Sequence, residues 1–344
     1  MMHKKNKNLK VLCLLSGGLD SRLACKIMQE QCDVEAVFFD LPFGTGCCNF
    51  ECSFNFSQIG GIKLHLVDCK KGELFEEYMN IIRKPKHGRG SAANPCIDCH
   101  EFMLKKAKEL AQKINASALV TGEVLDERPM SQRKKALDII EKGAGVEGML
   151  IRPLSAKLLP PTILEKEGII NREKFFDIKG RQRNKQMELA QKYGIKYPTP
   201  GGGCALCEKG YARKLNDLLK NNPLITIQDI EILRIGRHFK IDGLKVIVGR
   251  REAENNLLEK FSTKADIILE ASDDIPSPTT LIISNSNDIK KETIIKAAEI
   301  TAYYSDPVKE SEDVPIDIRM NCILKGNIKS KRISDEELKS LRLT

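Results

Sequence analysis

One short string constrains this chain more than any other: Ser16-Gly17-Gly18-Leu19-Asp20-Ser21, set between an apolar run, Val11–Leu15, and a helical pattern starting near Ser21. A buried strand running through paired glycines into a helix start lets backbone N–H groups approach a phosphate, where the helix N-terminus adds partial positive charge. Ser16 and Ser21 offer hydroxyls to phosphate oxygens, and Asp20 is suited to position Mg2+ or to cap the helix. The loop is not a Walker A motif, because the Gly-Lys-Ser/Thr ending is missing.

Strand and helix patterns alternate on either side of this loop. The expected strands are Val11–Leu15, Val34–Phe39, Lys63–Val67 and Ala118–Val120, with helices over Ser21–Gln31 and Phe102–Ile114. Alternation of this kind implies a parallel sheet wrapped by crossover helices. Pro198, Pro200 and Gly201–Gly203 close the region, and a helix is expected from about Gly210 to Lys220. Beyond Asn221 the pattern becomes α+β. Short β-rich pieces are expected at Ile225–Ile235, Leu244–Val248, Ile267–Glu270 and Leu281–Ser284, then a helix over Glu292–Tyr304 and closing strands at Ile316–Ile318 and Cys322–Leu324. The expected organisation is a nucleotide-binding domain over 1–203, a helical linker over 204–233, a smaller α+β domain over 234–330 and a charged tail over 331–344.

Charge follows the same division. Through Gly203 there are 33 Lys and Arg against 24 Asp and Glu, whereas the remainder has 23 of each, so the whole net charge of +9 lies in the first part. The excess concentrates at Arg83–Arg89, Arg133–Lys135 and Arg172–Lys185, the footprint expected of a polyanion-binding surface or of a solvated face. No apolar run reaches the roughly 18 residues of a membrane span and no cleavable leader is recognisable, so a cytoplasmic protein without membrane contact is expected.

Twelve cysteines are many for such a compartment. Cys13 and Cys25 sit in apolar contexts and read as core residues. Two C-x-x-C pairs, Cys96/Cys99 and Cys204/Cys207, lie too far apart for one zinc ribbon. Cys47, Cys48 and Cys52 form a further group, either incidental or able to supply a ligand or accept sulfur.

The loop hexapeptide resembles the signature of the PP-loop ATP pyrophosphatases. That resemblance implies a HUP-type (adenine nucleotide alpha hydrolase-like) parallel sheet with helices on both faces, and cleavage of ATP between its α and β phosphates to adenylate a substrate. Ser16, Gly17, Gly18, Asp20 and Ser21 would bind ATP. Phe39 and Asp40 would border adenine and ribose, while Thr121 and Gly122, with Glu123 beside them, would line the nucleotide pocket. Arg128, Ser131 and Gln132 would face the nucleotide or target base, and Lys157 or Arg152 would stabilise charge on the α-phosphate.

Asn94-Pro95-Cys96-Ile97-Asp98-Cys99 resembles the N-P-C-x-x-C element of tRNA thiouridylases. The implied activity is an ATP-dependent tRNA sulfurtransferase most like the 4-thiouridine synthetases of ThiI type. Catalytic work would fall to Asp20, Lys157, Cys96, Cys99, Cys204 and Cys207. Cys96, Cys99 and one of Cys204 or Cys207 would bind a [4Fe–4S] cluster with one iron open for hydrosulfide. A cysteine persulfide without a cluster, or structural Zn2+, remain alternatives. A 2-thiouridine product, an amidating PP-loop synthetase acting on a small carboxylate, and a non-catalytic RNA-binding accessory are the competing readings.

The later segments Asp242–Asn256, Ala265-Asp266-Ile267, Asp274–Pro278 and Ala297–Ser305 resemble the NFACT-R (DUF814) RNA-binding domain. Its net charge of zero argues against a purely electrostatic grip, and a scaffold role is the plain alternative. With only ten residues before the first strand, no THUMP-like module is expected there, nor an appended rhodanese-like domain. The NFACT-R-like domain would then supply the tRNA contact. Sulfide or a cysteine desulfurase relay would donate sulfur, and a homodimer is possible.

Overall fold

The computed structural model describes residues 6–44, 49–198, 204–272, 275–284, 289–306 and 313–343. Cys47, Cys48, Pro200, Gly201–Gly203 and Asp274 lie outside the described residues. The chain divides into two compact units, 1–208 and 209–344. Both C-x-x-C pairs therefore belong to the first unit.

The first unit is built on strands β1 (Asn6–Leu14), β2 (Cys32–Asp40), β3 (Lys63–Asp68), β4 (Ala118–Val120) and β5 (Leu150–Ile151). Its helices are α1 (Leu19–Gln29), α2 (Phe50–Ile59), α3 (Gly72–Arg83), α4 (Cys96–Lys113), α5 (Lys134–Ala144), α6 (Ile163–Lys166) and α7 (Asn184–Lys192). The strands form one sheet in the order β3-β2-β1-β4-β5, and every pairing is parallel. Flanking helices cover the sheet, which is why its central strand has no polar alternation. Val11, Leu12 and Cys13 are all buried, with Val11 and Cys13 packing against Leu23 and Ile27 of α1. Cys25 is buried in the same core, as its sequence context implies.

Strand order locates the site. From β1 the chain moves outward to β2 and β3, then returns to place β4 on the other side of β1. The crevice beyond the carboxyl ends of β1 and β4 is a topological switch point, where open parallel sheets bind ligands. Ser16–Ser21 leaves the end of β1, and Thr121–Glu123 leaves the end of β4.

The second unit contains β6 (Arg237–Ile241), β7 (Leu244–Val248), β8 (Ile267–Ala271), β9 (Thr280–Ile283), β10 (Val314–Met320) and β11 (Ile323–Ser330). They form a sheet ordered β11-β10-β8-β9-β7-β6, antiparallel throughout. Its helices are α8 (Lys209–Asn221), α9 (Ile227–Ile232), α10 (Glu252–Phe261), α11 (Lys291–Tyr304) and α12 (Asp335–Leu341). Ala297, Ala298 and Ile300 of α11 pack against one face, with Phe239, Val246 and Leu269.

The β expectation over Ile225–Ile235 is corrected here, because residues 227–232 are helical. Thr226 accepts from the Asp229 N–H, and the Asp229 carboxylate takes the Thr226 N–H in return. This reciprocal cap starts a helix despite the β-branched sequence. β6 and α10 were not anticipated, nor were α2, α3, α5 and α7. Among the described residues, no helix is long and apolar enough to cross a membrane.

Candidate active site

A cavity of 280 Å³ opens at the switch point. The phosphate loop forms part of its lining. Gly17 takes a left-handed φ of 80°, and its carbonyl accepts the buried Arg22 Nε at 2.6 Å. The Ser21 hydroxyl bonds the Gly18 carbonyl at 3.0 Å and meets the Ser16 hydroxyl at 3.2 Å. Gly18 is the N-cap of α1, so the helix begins at the cavity wall. Leu15 N–H to the Val37 carbonyl, 2.9 Å, ties the loop's base to the sheet.

Gly122 explains how β4 meets this loop. A Cβ at that position would stand 2.5 Å from Asp20 C and Ser21 N, both backbone atoms. Glycine is required because two chain segments touch there, a role distinct from the nucleotide contact its position suggested.

Asp20 faces the cavity with its Oδ1 buried and unpartnered. Burial and the nearby Glu127 push its carboxyl up to about 6, against the pull of Arg183 and Arg128.

The same cavity is lined by cysteines. Cys96 and Cys99 occupy the first turn of α4, and Cys204 and Cys207 flank a short turn ending at residue 207; all four line the cavity. The Asn94 Nδ2 donates to Cys96 Sγ at 3.1 Å, and the buried Tyr78 hydroxyl meets Cys99 Sγ at 3.3 Å. Burial pushes the Cys99 thiol up to about 12, opposed by the Tyr78 bond and reinforced by Cys204 and Cys96. Burial and Cys96 push Cys207 upward as well. Four soft sulfur donors lining one cavity fit an iron–sulfur cluster or zinc by type. Among the described residues, however, no three His, Cys, Asp or Glu side chains are arranged to hold a metal ion.

The cavity also borders a buried charge network. Glu123 accepts from His100 Nδ1 at 2.8 Å, Thr121 Oγ1 at 3.0 Å and Arg152 Nε at 2.8 Å. Burial raises this carboxyl, but Arg152 and His100 outweigh burial and hold it at about 2. Its stabilisation is therefore present above the ordinary value of 4.5 and is lost as pH falls toward 2. Arg152 also pairs with Glu141 and is only 3% exposed. Its expected contact with the α-phosphate is replaced by this structural role. Arg152→Ala should cost roughly 3 kcal/mol by stranding Glu123 without its cation, measurable by denaturant unfolding of the full chain. An unchanged midpoint would contradict the role.

The structure brings Ser16, Gly18, Asp20, Ser21 and Phe39 to the cavity, together with Thr121, Gly122, Arg128, Ser131 and Gln132. Besides Arg152, three expected residues do not line it. Gly17 shapes the loop from behind. Asp40 turns to Lys70 at 2.8 Å, because successive strand residues face opposite sides of the sheet and Phe39 takes the cavity side. Lys157 is exposed and pairs with Glu173 at 3.1 Å. Cys52 is also elsewhere, where it contacts Arg22 Nη2 at 2.8 Å.

His100, Tyr78 and Arg183 line the cavity and had not been singled out. Arg183 sits in the basic run assigned to a polyanion surface. That run is largely paired: Arg172 with Glu165, Lys179 with Asp126, Arg183 with Glu127 and Lys185 with Asp177. Lys84, Lys86, Arg133 and Lys135 remain exposed in the other two runs.

A phosphate loop without a Walker lysine, at the switch point of a parallel 3-2-1-4-5 sheet, defines a PP-loop ATP-binding domain. Sequence comparison agrees: residues 7–175 match the family described as thiamine biosynthesis protein (ThiI), and residues 236–342 match the NFACT protein RNA binding domain. The chain thus carries a segment that matches the ThiI family model, followed by one that matches the NFACT RNA-binding domain model.

Among curated proteins, it is 25% identical to the tRNA-specific 2-thiouridylase MnmA of Listeria welshimeri over 256 residues, 71% of this chain and 64% of that one. It is 24% identical to the glutamine-hydrolyzing GMP synthase of Campylobacter jejuni subsp. doylei over 229 residues, 65% of this chain and 41% of the relative. The chain therefore spans less than two thirds of either relative. A solved 4-thiouridine synthetase–RNA complex with bound ATP aligns at a TM-score of 0.36 and 20% identity, covering 67% of this chain and 52% of that one.

Proposed function

We propose that this protein is an ATP-dependent tRNA sulfurtransferase that adenylates a uridine carbonyl oxygen and replaces it with sulfur, giving 4-thiouridine. The observation that carries the reading is one cavity lined both by the phosphate loop and by four cysteines. Oxygen in a uracil ring is a very poor leaving group, so activation and sulfur delivery must meet at one carbon. A single cavity brings them within reach of each other.

ATP would sit with its phosphates on Ser16–Ser21 and its base beside Phe39. The orphaned Asp20 Oδ1 suits the Mg2+ that accompanies ATP, a hard cation preferring carboxylate oxygen. As the uracil oxygen attacks the α-phosphate, the Pα–O bond to pyrophosphate breaks. The loop N–H groups and the start of α1 then hold the departing anion. Sulfur arriving from the cysteines displaces AMP from the activated carbon. A [4Fe–4S] cluster on Cys96, Cys99 and one of Cys204 or Cys207 would supply an open iron suited to hydrosulfide. The thiols alone suit a persulfide received from a desulfurase relay: its outer sulfur attacks the activated carbon, AMP leaves, and a second cysteine thiolate breaks the S–S bond to free the thiouridine, leaving a cysteine disulfide. The second unit, with Lys84, Lys86, Arg133 and Lys135, would hold the tRNA backbone, and sulfide or a desulfurase relay would supply sulfur.

The experiment incubates protein prepared without oxygen with unmodified tRNA, ATP, Mg2+ and sulfide, followed by nucleoside mass spectrometry. A 4-thiouridine peak is expected, absent with Cys96→Ala although that variant still binds ATP. A 2-thiouridine peak would redirect the assignment to the other carbonyl.

The match to a GMP synthase favours a second reading, an amidating PP-loop synthetase that brings ammonia to an adenylated substrate. Ammonia-dependent AMP formation without any thionucleoside would establish it. It leaves all four thiols without a task.

A further inference from the structure

Beside the phosphate loop, the cavity contains a charge cluster that the loop motif does not explain. Arg183, just before α7, lines the cavity. Its Nε donates to Glu127 Oε1 at 3.1 Å, its Nη2 donates to the same oxygen, and Nη2 lies 3.9 Å from Asp20 Oδ2. Glu127 is 7% exposed, so this pair is withdrawn from bulk solvent. Glu127 Oε2 and Asp20 Oδ1 are both buried without a hydrogen-bond partner among the described residues. Two acids, each with one unsatisfied oxygen, thus meet two guanidiniums beside the phosphate loop, since Arg128 also acts on Asp20 and lines the cavity. The pairing of Glu127 with Arg183 through one carboxylate oxygen is incomplete, so the guanidinium can exchange it for an incoming phosphate.

We propose that Arg183 grips the pyrophosphate half of ATP, and that Glu127 holds the arginine at the cavity wall until the nucleotide arrives. The proposal deepens the ATP-cleaving reading above and rests on it. A guanidinium presents its donors as a planar fork that matches two phosphate oxygens at once. The Glu127 pair keeps a long, otherwise mobile side chain extended toward the loop, so less entropy is lost on binding. As pyrophosphate departs from the α-phosphorus, its charge grows and the same fork stabilises it.

The test is calorimetric titration of the full-length protein and its variants with inorganic pyrophosphate, ATP and AMP, with divalent ions chelated. Arg183→Gln is expected to weaken pyrophosphate and ATP binding roughly thirtyfold while leaving AMP affinity unchanged. Arg183→Lys should lose less. Glu127→Gln should weaken pyrophosphate binding severalfold in the native background, through loss of the held arginine, and should no longer weaken it when Arg183→Gln is also present. Equal tightening in both backgrounds would show simple charge repulsion and overturn the holding role. Pyrophosphate affinity unaltered in Arg183→Gln would overturn the grip itself. Should Arg183→Gln fail to fold, Arg183→Lys and Glu127→Gln decide the question alone. A native protein that binds none of the three ligands would remove the ATP-cleaving reading, an outcome distinct from a native protein that binds them without Arg183.

Discussion

Asp20→Asn is expected to make the protein more stable at neutral pH while abolishing pyrophosphate release. The Asp20 carboxyl is raised from 3.8 to about 6, first by burial and then by Glu127. A raised acid holds its proton more tightly when folded, so ionising it costs folding energy. The sign follows directly: the cost is slight at pH 4, grows as pH rises between 4 and 6, and is complete above the folded value of about 6. A shift of this size corresponds to roughly 3 kcal/mol at neutral pH. Asparagine cannot ionise, so its advantage in denaturant unfolding should approach that figure at neutral pH and shrink toward pH 4. The same substitution removes the carboxylate proposed to meet Mg2+, so ATP cleavage should stop. A variant of equal stability at both pH values would disprove the buried charge. A variant that is stabilised but still releases pyrophosphate would place Asp20 outside the reaction.

Gly122→Val should disable the same site by a different route. The side chain has nowhere to go, since even a Cβ would stand 2.5 Å from Asp20 C and Ser21 N. Those atoms are backbone, held by the first turn of α1 and by β1, and cannot rotate away as a side-chain tip could. Overpacking of this kind costs about 1–3 kcal/mol, and relief requires moving the phosphate loop away from β4. Pyrophosphate release should fall below detection even where thermal unfolding shows the fold intact. Gly122→Ala should show the same direction with a smaller loss. Native-like ATP affinity in either variant would mean that the two segments are not in contact.

The phosphate site was legible because it is local. Its strand, turn and helix start are consecutive, and the paired glycines and Ser/Asp/Ser side chains announce what the backbone must do between Ser16 and Ser21. The same holds for Ala118–Val120 and Leu244–Val248, where apolar runs of strand length became strands of those bounds. Long-range placement was harder to read. Arg152 was expected at the phosphate, yet it serves Glu123 and Glu141 from 29 and 11 residues away. Arg183 was read as one charge in a surface run, although its partner Glu127 is 56 residues distant. Lys157 looked similar to Arg152 in sequence and stands in the open beside Glu173. Nothing in local spacing separates these three basic residues, since their partners are set by where distant loops meet.

By itself the sequence determined the loop, the parallel class of the first sheet, the change of pattern after residue 221 and the two cysteine pairs as items of chemistry. These depend on periodicity and short-range backbone geometry, which neighbouring residues dictate. Tertiary structure alone decided that Cys204 and Cys207 share a cavity with Cys96, Cys99 and the phosphate loop. It also decided that Gly122 is a point of contact between two backbones, and which charges are buried and paired. Those outcomes depend on the order of strands in the sheet, which places the ends of β1 and β4 side by side although Leu14 and Ala118 are 104 positions apart in the chain. Strand order is settled by burial of both sheet faces at once, a condition on the whole unit that no single segment carries.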